Sequence, residues 1–315
     1  LEYDLTRMLY NLSDPKKPVV GLITGLQMNT TVSPMMRLNG GAQAWGIVDA
    51  IRGVFDLRAL DMNQGIIPKD VDILMIAHPL GLGEQALYAI DQFVMAGGRA
   101  LVFMDPFSEV TARDQQGGQR NQQRAIELAS SDLEKLLNAW GVSVPTDHVL
   151  ADYETSQQVN AGQGGAQRVV RYLVWLQLGG ANLNPDDVVT ADLGPIMTAN
   201  TGTVLTLPDT DVKVTPLIFT GVQAMRMETN MVRFGPAPDR LLEMFKPDGE
   251  QHVLAARLSG KVKSAFPDGP PKGRKNTGHL NESAKDISVI VVADSDMLHD
   301  QFWLRQRNMM GQKMV

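Results

Sequence analysis

There is no cysteine in this chain. That excludes thiol nucleophiles, disulfides and thiolate-bound metals. It also excludes amidotransferase chemistry, which parallel α/β sheets can carry but which needs a cysteine nucleophile. The compartment stays open on this ground. No apolar run approaches the roughly 18–20 residues of a membrane span, and no signal-peptide pattern is present. A basic stripe is missing too. With 29 Lys and Arg against 35 Asp and Glu the net charge is −6, so nucleic acid and anionic lipid are poor partners. The familiar phosphate-loop, dinucleotide-binding and nucleophile-elbow patterns do not occur. The five histidines, His78, His148, His252, His279 and His299, lack the i, i+4 spacing of a zinc helix. No cofactor and no metal is indicated.

What is present is a strand–helix–strand pattern near one third of the chain. Ile73 to Ala77 is an unbroken apolar run, as expected of a strand buried on both faces. From Glu84 the period changes: Ala86, Leu87, Ile90, Phe93 and Val94 share one face of a helix, and Gly97-Gly98 supplies a left-handed stop. Ala100 to Met104 is a second buried strand, so the crossover is right-handed and the two strands are parallel.

The flanking chain extends the pattern. Leu5 to Leu12 reads as a short helix, Val19 to Thr24 as a buried strand, and Gln27 to Gly41 as a loop. Trp45, Val48 and Ile51 mark a helix to about Gly53, with an alternating strand over Phe55 to Leu60. Arg113 to Arg124 is rich in Gln, Gly and Arg and reads as a surface loop, and Ser130 or Ser131 can cap a helix carrying Leu133, Leu136, Leu137 and Trp140. From Val142 to about Ser264, short strand-like runs broken by Gly, Pro and Asn indicate an antiparallel, β-rich section. Phe266 to Ser283 reads as an exposed linker. Ile287 to Ala293 then returns as an apolar strand whose simplest place is back in the parallel sheet.

The expected fold is therefore α/β: a parallel open sheet with flanking helices in three layers, flavodoxin-like or class I amidotransferase-like, with a β-rich insertion. The expected organisation is residues 1–142 plus 284–315 as the α/β domain, 143–265 as the insertion or second subdomain, and 266–283 as linker.

In such sheets ligands sit beyond the carboxyl ends of the strands. Those ends offer Thr24-Gly25, His78-Pro79, Asp105-Pro106 and Asp294-Ser295-Asp296. Thr24, Gly25, His78, Asp105, Asp294, Ser295 and Asp296 thus form the candidate crevice. Carboxylates there could hold a cation or serve as an acid/base pair. The bland alternative is that Asp294 or Ser295 caps the next helix and Asp105 starts a turn before Pro106. Trp175, within Tyr172 to Leu176, could stack on a sugar, but an alternating strand with buried aromatics is the better reading.

Val71 to Ile76, Glu84 to Arg99, Val102 to Pro106, Leu133 to Val142 and Val292 to Leu298 together resemble the soluble domain of the GldG-like family, auxiliary components of ABC-type gliding-motility transport systems. A related domain occurs in an intraflagellar-transport subunit, where its role is binding. The resemblance implies an extracytoplasmic, periplasmic domain without catalytic residues, working beside an ABC permease and its ATPase. It also implies tethering by membrane helices outside the present residues. The chain begins at Leu1 rather than Met and is read as an excised portion of something longer. The expected function is thus a non-enzymatic binding or scaffolding domain. The alternative is a hydrolase or small-ligand (carbohydrate) enzyme using the strand-end carboxylates.

Overall fold

The computed structural model describes residues 16–28, 44–114, 127–161, 168–233, 235, 237–274, 278–304, 307–309 and 312–314. The helix expected over Leu5 to Leu12, most of the Gln27 to Gly41 loop and most of the Arg113 to Arg124 loop lie outside them.

The chain opens with β1 (Val19–Thr24), whose charge-free run is buried almost throughout. Helix α1 (Gly46–Val54) buries Val48 and leads into β2 (Asp56–Ala59). Strand β3 (Ile73–Ala77) follows, then α2 (Glu84–Met95) and β4 (Arg99–Phe103). Helix α2 buries Ala86, Ala89, Ile90 and Val94 on one stripe. It stops where the periodicity does: Gly97 takes φ 93°, and the N–H groups of Gly97 and Gly98 return to the carbonyls of Val94 and Phe93. Helices α3 (Glu109–Asp114) and α4 (Glu134–Ala139) come next.

The β-rich section contains β5 (Val142–Ser143), β6 (His148–Asp152), β7 (Ser156–Asn160), β8 (Val169–Leu178), β9 (Ile196–Ala199) and β10 (Leu205–Thr206). It continues with β11 (Lys213–Phe219), β12 (Ala224–Glu228), α5 (Pro238–Met244) and β13 (Val253–Ser259). The chain then returns as β14 (Ser288–Val292) and ends in α6 (Asp300–Trp303) and a hairpin of β15 (Arg307–Met309) with β16 (Gln312–Met314).

The main sheet has seven strands in the order β11-β13-β14-β4-β3-β1-β2. The run β14-β4-β3-β1-β2 is parallel at every pairing, so the late strand sits where its composition predicts, with Val291 opposite Val102. Strands β11 and β13 add antiparallel pairings at that end. The protein is therefore a mixed α/β fold around a largely parallel sheet.

Its two faces are covered differently. On one, α2 and the α4 region (Leu133, Leu136, Leu137, Trp140) pack on Leu74, Ile76, Val102, Val289 and Val291. On the other, Trp45 and Val48 share the cover with Leu150, Leu176, Leu178, Ala199 and Phe302. The β-rich section supplies part of that second layer because β8 has apolar residues on both sides. Leu176 and Leu178 bury against the sheet, while Leu173 and Val174 bury in a smaller core with Val149, Ala151, Met227 and Leu241.

Two features of this packing bear on the boundaries expected from sequence. Strands β11 and β13, inside 143–265, belong to the main sheet, because their apolar residues (Leu217, Leu254, Ala256, Leu258) complete its two cores. Segment 266–283, much of it exposed, also makes contacts with the α/β core. Phe266 is in the main core, Arg274 donates to the carbonyl of Gly65, and Gln92 exchanges hydrogen bonds with the backbone of Leu280. The buried carboxylate of Asp91 anchors its start, accepting from Ser264 Oγ at 2.7 Å and from the N–H of Ala265. The Pro- and Gly-rich composition marks a segment without regular structure, which packing on α2 nonetheless orders.

Candidate functional site

Parallel pairing of β4 with β14 sets Val292 opposite Phe103, so the residues just past each strand come together. Asp105, Asp294, Ser295 and Asp296 are all at most 1% exposed. Asp105 accepts at one oxygen from the N–H (3.0 Å) and Oγ (2.8 Å) of Ser295, and at the other from the N–H of Phe107 (2.9 Å). Asp294 accepts from the N–H of Met297 at 2.7 Å and of Ala199 at 2.8 Å. Asp296 reaches across to the start of α3. It accepts from Ser108 Oγ (2.7 Å) and from the N–H groups of Glu109 (2.6 Å) and Val110 (3.2 Å). It thus satisfies donors that a helix start leaves orphaned.

Burial is the main influence on these three acids, pushing each up from the ordinary carboxylate range. Repulsion from Asp296 raises Asp105 and Asp294 further. Donors from Ser108, Glu109 and Val110 oppose the rise at Asp296, which lies at about 7. Among the described residues no ion pair with Lys or Arg offsets them, and no group of side chains could hold a metal ion.

The tips are also closed. The stretch from Thr198 to Thr203 crosses over the end of β14, with Thr201 Oγ1 and the N–H of Gly202 both donating to the carbonyl of Ala293. A Cβ on Gly202 would meet the Pro106 ring at 3.2 Å. The sequence-predicted carboxylates therefore converge, but into a filled, hydrogen-bonded knot rather than an open crevice.

His78 belongs to the same knot from the β3 side. It is fully buried in the left-handed region at φ 50°. Its Nε2 lies 2.8 Å from the carbonyl of Leu128, and its Nδ1 lies 2.8 Å from Ser131 Oγ. A carbonyl only accepts, so Nε2 carries the proton. Ser131 Oγ accepts from the N–H of Asp105, leaving its own proton to point at Nδ1. The ring is thus held neutral, and burial takes its pKa down to about 4. Ser131, expected as a helix cap, serves this network instead. Helix α4 begins after Leu133 with no side-chain cap. Sequence reading also missed Ser108 and the stretch from Thr198 to Thr203; nothing in their local pattern tells them from ordinary polar loop residues.

Thr24 and Gly25 lie at a different place. Gly25 packs beneath His78: a Cβ there would sit 2.5 Å from the His78 carbonyl oxygen. Thr24 faces a cleft of about 510 Å³ lined by Ile23, Leu60 to Asn63 and Leu80 to Ala86. The chain leaves β1 toward β2 on one side and returns to β3 on the other, so this cleft is at the switch point of the parallel strands, where open α/β sheets bind ligands. A second cleft, about 560 Å³, lies past β4 between Ser130 to Glu134 and Ser143 to Asp147. Trp175 is half-buried. It packs against Phe302 and Tyr172 and donates from Nε1 to Glu109 at 2.8 Å.

The chain is thus a mixed α/β fold with a sealed polar knot at two of its strand ends and a cleft at its switch point. The chain belongs to the family of ABC-type uncharacterized transport systems, as their auxiliary component; the family's model matches residues 17–314. No curated protein matches it.

Proposed function

We propose that this chain is a non-enzymatic binding or scaffolding domain of an auxiliary subunit of an ABC-type transport system, of the GldG-like kind. In this reading it works on the extracytoplasmic side beside the permease and its ATPase, and is tethered to the membrane by segments outside these residues. The observation that carries the reading is the family match across residues 17–314. The chemistry at the strand ends agrees with a non-enzymatic role: each oxygen of Asp105, Asp294 and Asp296 already accepts a hydrogen bond from the protein. His78 is committed to Ser131 and Leu128 rather than to a reacting group. The strand order β2-β1-β3-β4-β14 with a helix on each face supports the flavodoxin-like description. Among the described residues no helix is long and apolar enough to cross a membrane.

The test is affinity capture of the full-length protein from crosslinked membranes. Recovery of a permease or ATPase subunit is expected. Repeated capture with neither overturns the transporter reading. Protease accessibility in intact cells against lysed cells checks the extracytoplasmic placement, and protection in intact spheroplasts would reverse it.

A further inference from the structure

The knot at β4 and β14 is full, but the cleft at the switch point is not, and nothing above assigns it an occupant. Its lining is mixed and more polar than apolar: Ile23, Leu60, Leu80 and Leu82 supply apolar surface, and Thr24, Asp61, Asn63 and Glu84 supply polar groups. Two glycines, Gly81 at φ +57° and Gly83, stand beside open space where a Cβ would meet nothing within 4 Å. A ligand there can approach the peptide backbone closely. The volume of about 510 Å³ falls within the range of small-molecule sites, roughly 300–1,000 Å³.

The lining selects by charge. The Asp61 carboxylate, of which only Oδ1 is used for the N–H of Asn63, repels anions. Glu84 is ion-paired through Oε2 with Lys135 Nζ at 2.7 Å, and its second oxygen is still an acceptor. A cation meets the opposite obstacle: α2 begins at this rim without a side-chain cap, so its first-turn N–H groups point positive ends toward the opening. Acceptors at Asp61 and Glu84 beside donors at the backbone and Asn63 suit a ligand that offers both kinds of group and no net charge. Hydroxyl groups do so, and the mixture of polar groups with leucine and isoleucine side chains suits a sugar ring, whose edges are polar and whose faces are apolar.

We propose that this cleft binds an uncharged, polyhydroxylated small molecule of one or two sugar rings, with Asp61 and Glu84 accepting from its hydroxyls. The inference is independent of the transporter reading, because it concerns the isolated chain and a soluble ligand, whereas that reading stands or falls on captured membrane partners.

The test is saturation-transfer NMR and calorimetric titration of the 315-residue chain with glucose, N-acetylglucosamine and maltose. Inorganic phosphate and putrescine serve as the charged comparators. At least one sugar should bind at millimolar concentration in preference to both. Gly83→Phe projects a ring into the cleft at a residue with ordinary negative φ, and should abolish binding while circular dichroism and thermal midpoint stay close to wild type. Asp61→Asn keeps an oxygen for the N–H of Asn63 but removes the charge, and should weaken sugar binding about tenfold. Failure of all three sugars to bind the folded wild-type chain overturns the proposal. So does preferential binding of phosphate or putrescine, or unchanged sugar affinity in both variants.

Discussion

Replacing Asp296 by alanine separates a structural carboxylate from a functional one. In the wild type it accepts from Ser108 Oγ and from the N–H groups of Glu109 and Val110. Each buried donor left without an acceptor costs roughly 1–3 kcal/mol. Ser108 keeps a bond to Thr111 and Glu109 is only half-buried, so the three losses are partial. A net cost of about 3–5 kcal/mol is expected, a large share of the roughly 5–15 kcal/mol of a typical domain. The pH dependence sharpens this. Asp296 is raised to about 7 by burial, so the stability linked to its protonation is fully present below the ordinary value near 3.8 and is lost as pH rises through 7. That interval corresponds to roughly 4 kcal/mol. The cost of Asp296→Ala should therefore be larger at pH 5 than at pH 8. Urea unfolding followed by tryptophan fluorescence at pH 5, 6, 7 and 8 measures it. A cost under about 1 kcal/mol at pH 5, or a pH-independent difference between the two proteins, would refute the reasoning.

His78 gives the opposite sign. Its pKa is depressed to about 4, so stability falls as pH drops from about 6.5 toward 4, by up to roughly 3 kcal/mol. Ring NMR should show the Nε2–H form titrating at about 4; a midpoint near 6.5 would dismiss the buried neutral ring. Gly25→Ala drives a Cβ to 2.5 Å from the His78 carbonyl oxygen and should cost about 1–3 kcal/mol, read as a lowered urea midpoint. An unchanged midpoint would mean that the loop after β3 yields freely. Ile90→Ala in α2, at a fully buried core position, should cost about 2–5 kcal/mol with the fold retained by circular dichroism. A loss below 1 kcal/mol would indicate that α2 is loosely packed.

The parallel core was legible because burial on both faces leaves a direct mark on composition. Val19 to Thr24, Ile73 to Ala77, Ala100 to Phe103 and Val289 to Val292 are apolar runs that tolerate no charge, and the helix between β3 and β4 carries its period openly. The meeting of Asp105 with Asp294 and Asp296 followed from that pairing. The closing stretch from Thr198 to Thr203 was not legible. Its small polar residues look the same whether they face water or, as here, the backbone of Ala293 and the carboxylate of Asp294. Nor does the pattern of β13 disclose that it pairs with β14 rather than within its own section, since either place buries Leu254 and Leu258 equally.

The amino-acid sequence alone determined the strands and helices of the parallel core and that the late β14 rejoins the early ones. Those choices depend on hydrophobic period and on backbone preferences of neighbouring residues. Only the tertiary structure decided that the acidic strand tips are sealed while the space beside Thr24 and Asp61 stays open. Whether a polar group meets solvent or a buried N–H depends on residues about a hundred positions away, and local sequence carries no term for that distance.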